Sequence, residues 1–365
     1  MDEYKSLPDF DSLPQVEGMP KGCAWGVFGV KHVESISKAN VLIISDKNGK
    51  KDTLGCLNLL TPSVIREAYK EARDGVTFSL NHAMDIIKVP TGRAPTSHKV
   101  LTWKEDITAG QCSHNSLDDE VSFNTQASSQ WDSLLHFPHQ GTGMGYNGVK
   151  ADKEQLHGSS SLTYDPEKRI PTIDHWHDRG GVVGRGVLLD YRAYAEAKGI
   201  QYESVSRHTI TIEDLEAVAA HQGTEFKQGD ILLLRTGLAE DIAPMTAEQQ
   251  LQKMMAGQGG MAGVEGSEKA AKWFWNHHFA AVASDNMSFE VYPPQKPDGT
   301  LGDAADLVLH PYFLSLFGLN IGEIWDLKAL SEHCGKTGRY TFLLTSAPLN
   351  IPGLVGSPPN ALALM

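Results

Sequence analysis

Cysteine is scarce in this chain: 365 residues hold only Cys23, Cys56, Cys112 and Cys334, far apart and with no CxxC pair. That excludes a disulfide framework and a thiolate zinc site, and predicts reduced thiols in a core. Long apolar runs are missing as well. The strongest stretches, such as Gly181 to Asp190, are broken by Gly, Arg or Asp and fall short of the roughly 18 residues a membrane span needs. Positive charge is in deficit, with 32 Lys+Arg against 45 Asp+Glu and a net charge of −13. A polyanion such as nucleic acid is therefore a poor partner, because neutralising phosphates takes clustered cations. The opening Met1-Asp-Glu-Tyr-Lys-Ser-Leu-Pro8 lacks the basic patch, apolar core and small-residue cleavage site of a secretory signal, so the expected location is cytoplasmic. No GxGxxG opens a helix after a strand, no P-loop occurs, and no repeat or long linker is visible.

What is present is ordinary globular material, 41% hydrophobic and 21% charged. Residues 1–35, with Pro8, Pro14 and Pro20 and no period, read as an N-terminal arm lying on the body or on a neighbour. Residues 36–365 read as a single α/β domain. Val41 to Ser45 reads as a strand before the Asn48-Gly49 turn, and Ser63 to Asp74 as a helix capped by Thr61 or Ser63. Gly180 to Asp190 reads as a buried strand followed by a helix over Tyr191 to Lys198. Thr211 caps a helix reaching about His221, and Asp230 to Gly237 forms the next buried strand. Helices are predicted over Thr246 to Met255 and Ser267 to His277, then a strand at Ala280 to Asp285. An apolar helix over Leu307 to Leu319 leads into a turn at Ile321 to Asp326, and Tyr340 to Ser346 adds a late strand. Strands alternating with helices predict a mixed sheet with helices packed on it.

Residues 80–150 are irregular and rich in Ser, Asn, Gln and His, and loops on a scaffold commonly carry sites. In Asn124 to His139, Gln126, Gln130 and Asp132 share a face if the segment is extended, and His136 follows four residues later. Oxygen donors with a nearby histidine suit a hard or borderline cation and a proton shuttle. The same pattern also fits a polar loop closed by a hydrogen-bonded Asp. His310 and Glu323 border an apolar stretch, where buried charge requires a partner or a metal. Arg185, in Gly184-Arg-Gly186, suits an anionic substrate or a strand-end salt bridge. Trp131, Phe137, Tyr146 and Trp176 are candidate pocket walls or core residues, and His139, His175 and His177 are reserve shuttles.

Residues 126–136 resemble the HxGTHxDxPxH motif of the cyclase/kynurenine formamidase superfamily. Gln126 and Gln130 stand where two motif histidines would, Asp132 at the Asp and His136 at the last His. The similarity continues through Gly184 to Asp190, Leu233 to Gly237, Ser284-Asp285, His310 with Glu323, Ser346 to Asn350 and Ser357 to Ala361. The resemblance implies an α/β fold of swivelling β-barrel type with surrounding helices, a homodimer or homotetramer, and hydrolysis by a metal-dependent enzyme of amidase or lactonase type. It carries over Asp132, His310 and Glu323 as ligands and His136 as general base. Two glutamines for histidines mark a divergent branch and favour a single Mn²⁺ or Zn²⁺ held by Gln130, Asp132, His310 and Glu323 over a two-zinc site.

The expected function is opening of a lactone, cyclic amide or similar small ring by metal-activated water. The alternatives are a cyclase, dehydratase or lyase on a secondary metabolite using the same pocket, or a non-catalytic binding member.

Overall fold

The computed structural model describes residues 6–29, 52–150, 153–156 and 170–365, so the strand expected at Val41 to Ser45 lies outside the described residues. In chain order the strands are β1 Thr77–Ser79, β2 Ser97–Thr102, β3 Leu117–Ser122, β4 Gln130–Asp132, β5 Val182–Asp190, β6 Thr209–Ile210 and β7 Ile231–Arg235. Then come β8 Gly263–Val264, β9 Ala281–Ser284, β10 Asn320–Glu323, β11 Thr341–Ser346, β12 Gly356–Ser357 and β13 Ala361–Leu364. Among the described residues nine of them form one curled, open, mixed sheet in the order β1-β13-β11-β5-β7-β9-β10-β4-β12. Its centre, β5-β7-β9-β10, is parallel, and antiparallel strands close both flanks. Helices surround this half-barrel.

The central strands are the ones most legible in sequence. Val187 to Leu189 and Ile231 to Leu234 are fully buried, as befits parallel strands covered on both faces, which show as continuous apolar runs rather than alternation. Gly186 on β5 leaves room for the Phe342 ring of β11, which a Cβ would meet at 2.1 Å. The helices follow their caps. Asp190 accepts from the Ala193 N–H to start the helix Tyr191–Lys198, and Thr211 with Asp214 makes a reciprocal capping box for Ile212–Gln222. Thr61 caps Pro62–Ala68, which ends sooner than expected in a short 3₁₀ turn over Tyr69–Glu71.

Further elements differ from the sequence reading. The apolar stretch before Gly318 winds as a wide π-helix over Pro311–Phe317 rather than a longer regular helix, and the expected turn after it is the buried strand β10. Residues 80–150 also contain the hairpin β2–β3, whose β3 residues are exposed throughout and so show no in–out alternation. Residues 6–29 lie on the body. Phe10 packs against Tyr312 and Phe317, the Trp25 indole donates to the Ser315 carbonyl, and the Trp275 indole donates to that of Pro8.

Candidate metal centre

The site is made where β10 meets β4. Glu323 stands directly across from Gln130 and Ile321 across from Asp132, so Gln130, Asp132 and Glu323 share one face of the sheet. The Asn320 amide donates to the Asp132 carbonyl at 2.9 Å and the Ser133 N–H donates to the Val355 carbonyl, holding the C-terminal end of β4, while the Trp325 indole donates to the Gln130 carbonyl at its start. His310 arrives on that face from the start of the π-helix. One ligand atom each from Asp132, His310 and Glu323 lies within 4.8 Å of the others, and all three residues are buried.

Gln126 Nε2 donates to Asp132 Oδ1 at 2.7 Å and lies 3.3 Å from His136 Nδ1, while Gln130 Nε2 donates to Glu323 Oε2 at 2.6 Å. His310 Nε2 is 3.3 Å from Glu323 Oε1 and its Nδ1 is 3.0 Å from Glu290 Oε1. His136 Nε2 stands 3.9 Å from Asp132 Oδ1 with its side chain 23% exposed, which leaves it open towards the cluster's rim. The Phe137 ring meets the His310 ring edge-on at 5.3 Å.

Burial and the negative Asp132 push the Glu323 carboxyl up to about 7. Burial disfavours charge on His310, but hydrogen bonds to Glu290 and Glu323 and their charges outweigh it and lift the imidazole to about 10. Burial lowers the His136 imidazole, against the pull of Asp132. Two ligand carboxylates and one imidazole in a dry site are complementary to a dication.

The donor set passes a further test of fit. Asp132 Oδ2, Gln130 Oε1 and Gln126 Oε1 are buried with no hydrogen-bond partner, where buried polar atoms normally have one. Orphaned oxygens beside a carboxylate–imidazole–carboxylate cluster suit a divalent cation of borderline hardness. Strain sits next to it. Ile324, directly after Glu323, has φ of 57°, a region that β-branched side chains rarely enter, and is held there by Ser129 Oγ on its carbonyl and by its own N–H on the Asn286 carbonyl.

Residues 61–291 match the putative cyclase family. A crystal structure described as a novel cyclase is 31% identical, covering 86% of this chain and 96% of that one, with a TM-score of 0.70. The chain belongs to the putative cyclase family. Isatin hydrolase A from Ralstonia solanacearum shares the fold at 15% identity, covering 83% of this chain and 97% of its own, with a TM-score of 0.50. No curated protein sequence matches. His310 and Glu323 lie beyond the matched stretch of this chain, so the cluster stands on the coordinates rather than on the family match. Family and cluster together make it a metal-dependent enzyme of the cyclase/hydrolase superfamily.

Of the aromatic side chains expected to wall a pocket, the structure brings Phe137 to the centre and not the others. Trp131 alternates to the opposite face of β4, where it is fully buried against Trp176 and Trp325 and donates to Ser346 Oγ. Tyr146 is buried with its hydroxyl on Asp52 Oδ2 at 2.8 Å. Arg185 is held by Asp230 and Glu71 and by the Glu225 carbonyl, which makes it the strand tie rather than the anion contact. His139 pairs with Thr142, and His175 lies 3.7 Å from Asp178. Sequence reasoning missed Glu290 and Arg93. Arg93 is exposed, donates to the Gln126 carbonyl at 2.8 Å, and acts electrostatically on both His136 and Glu323. No spacing signal marks Arg93; Glu290 is at least an acid between apolar Phe289 and Val291.

Proposed function

We propose that this putative cyclase opens a lactone, cyclic amide or similar small ring by hydrolysis, with one Mn²⁺ or Zn²⁺ held by Asp132, His310 and Glu323 and completed by Gln130. The observation that carries the reading is the buried Asp–His–Glu cluster bordered by partnerless oxygens. A divalent ion there would polarise a carbonyl and bring the pKa of water from 15.7 towards roughly 7.

The side chains supply the rest. His136, neutral because burial lowers it, takes the proton from the attacking water and returns it to the leaving oxygen or nitrogen. Gln126 orients both His136 and Asp132 through one amide group. Phe137 shields the imidazole of His310 from water. Ring opening creates a carboxylate, and Arg93 is the cation placed at Gln126 to hold it.

Gln126 and Gln130 in place of motif histidines favour one ion and a branch distinct from kynurenine deformylation. Elemental analysis of the purified protein, followed by a screen of lactones and cyclic imides in ¹⁸O-water, tests the reading. Stoichiometric metal and label in the product are expected. An unlabelled isomer or dehydrated product would instead establish a cyclase or lyase, and a metal-free protein a binding role. Asp132→Ala is expected to lose both the ion and turnover while remaining folded by circular dichroism.

A further inference from the structure

Glu290 has no exposed surface, and its carboxylate is fully engaged. Oε2 accepts from the Val308 N–H at 2.9 Å and the Leu309 N–H at 3.1 Å; Oε1 accepts from the His310 N–H at 2.9 Å and lies 3.0 Å from His310 Nδ1. One side chain thus grips both the backbone that delivers His310 and one nitrogen of its ring. The surroundings are built to admit it. A Cβ on Gly263 would meet the Glu290 carbonyl carbon at 2.5 Å, and one on Gly266 would meet Oε2 itself at 2.9 Å. Phe289, the residue before it, is held at φ of 55°. Strain of that kind persists only where the surroundings over-determine it.

We infer that Glu290 is the positioning residue of the metal centre, accepting the Nδ1–H of His310 so that Nε2 is presented to the ion. Both nitrogens of the ring face a carboxylate, and a carboxylate only accepts. Glu323 belongs to the ion's own cluster whereas Glu290 is tied off by three backbone N–H groups, so with an ion bound the neutral imidazole carries its proton on Nδ1, towards Glu290, and its lone pair on Nε2. Anchoring by three backbone N–H groups prevents the carboxylate from swinging to the ion itself. The inference rests on the metal reading above and adds to it a residue outside the ligand cluster.

Two measurements test it. Metal-free protein is titrated with Zn²⁺ against a chromophoric competitor, for the wild type and for Glu290→Gln. The variant is expected to bind about 10–100-fold more weakly, the usual cost of losing a carboxylate behind a metal-bound histidine. The Zn²⁺-loaded wild type, labelled with ¹⁵N-histidine, is then examined by long-range ¹H–¹⁵N correlation, in which the His310 ring is expected to carry its proton on Nδ1. That second readout needs no variant and therefore survives misfolding of Glu290→Gln. A lower melting temperature with unchanged affinity, or a proton on Nε2, would overturn the inference while leaving the metal centre intact. Failure of the wild type to take up Zn²⁺ would overturn both.

Discussion

Asp132 gives one oxygen to the Gln126 amide and leaves the other buried without a partner. A lone carboxylate oxygen in a dry site is costly, and one oxygen of Asp132 lies within 4.8 Å of ligand atoms of His310 and Glu323. His136, four residues on, is the group free to move a proton. His136→Ala is expected to retain the ion by elemental analysis yet lose at least about 100-fold in kcat. The pH profile offers a separate check. A general base must be neutral, so rate falls as pH drops through its pKa. Burial sets that pKa below the ordinary 6.5, so the acid limb of kcat/KM should fall below pH 6.5. A limb above that value would assign the proton to another group. At this scale the sequence shows which residue types stand at positions 126, 130, 132 and 136, and strand alternation already groups Gln130 with Asp132. It could not show that Gln130 donates to Glu323, because 193 residues separate them and only the β4–β10 register makes them opposite.

Among the elements, β10 is the one whose placement decides the site. Gly322 lies between Ile321 and Glu323, and a Cβ there would meet the Ala283 methyl at 2.6 Å and the Trp325 indole nitrogen at 2.8 Å. Gly322→Ala must therefore push β10 away from β9 or displace Trp325, at a cost of about 1–3 kcal/mol in urea denaturation, and Glu323 moves with the strand. A stability equal to wild type would show that the strand tolerates the methyl. On β5, Arg185 is held between Asp230 and Glu71, both buried. Arg185→Met leaves two buried acids facing no cation and is expected to cost about 3 kcal/mol by the same measurement, with metal content per folded molecule unchanged. Elements with strong local signals, the capped helices and the apolar parallel strands, were readable because their determinants are adjacent in sequence. The strand β10 read as a turn because Asn320-Ile-Gly-Glu carries only one large apolar residue, and its burial comes from neighbours on both sides.

Over the whole molecule, the sheet draws the centre from positions 126 to 136 and 310 to 323, the former reaching it through an antiparallel strand on the sheet's flank. An ion bound there joins the distant segments only in the folded state, and a ligand that binds only that state stabilises it by mass action. Removing it with a chelator is expected to lower the melting temperature. Free Mn²⁺ or Zn²⁺ in excess, at about 100 times its Kd, would restore about 2.7 kcal/mol. Asp132→Ala should show no such response. An equal shift in that variant would place the ion elsewhere. Among the described residues no helix is long and apolar enough to cross a membrane, in keeping with the lack of apolar runs.

Composition, caps and apolar runs by themselves determined that the chain folds as α/β, where its central strands and most of its helices lie, and that residues near 130 carry oxygen donors. These are properties of neighbours along the chain, set by local backbone preferences and burial periodicity. Tertiary structure alone decided that Trp131 turns into the core while Asp132 faces His310, that Arg185 ties a strand, and that Glu290 stands behind the histidine. Each of those depends on which segments the sheet places side by side, and contacts across so many residues leave no periodic trace in the sequence.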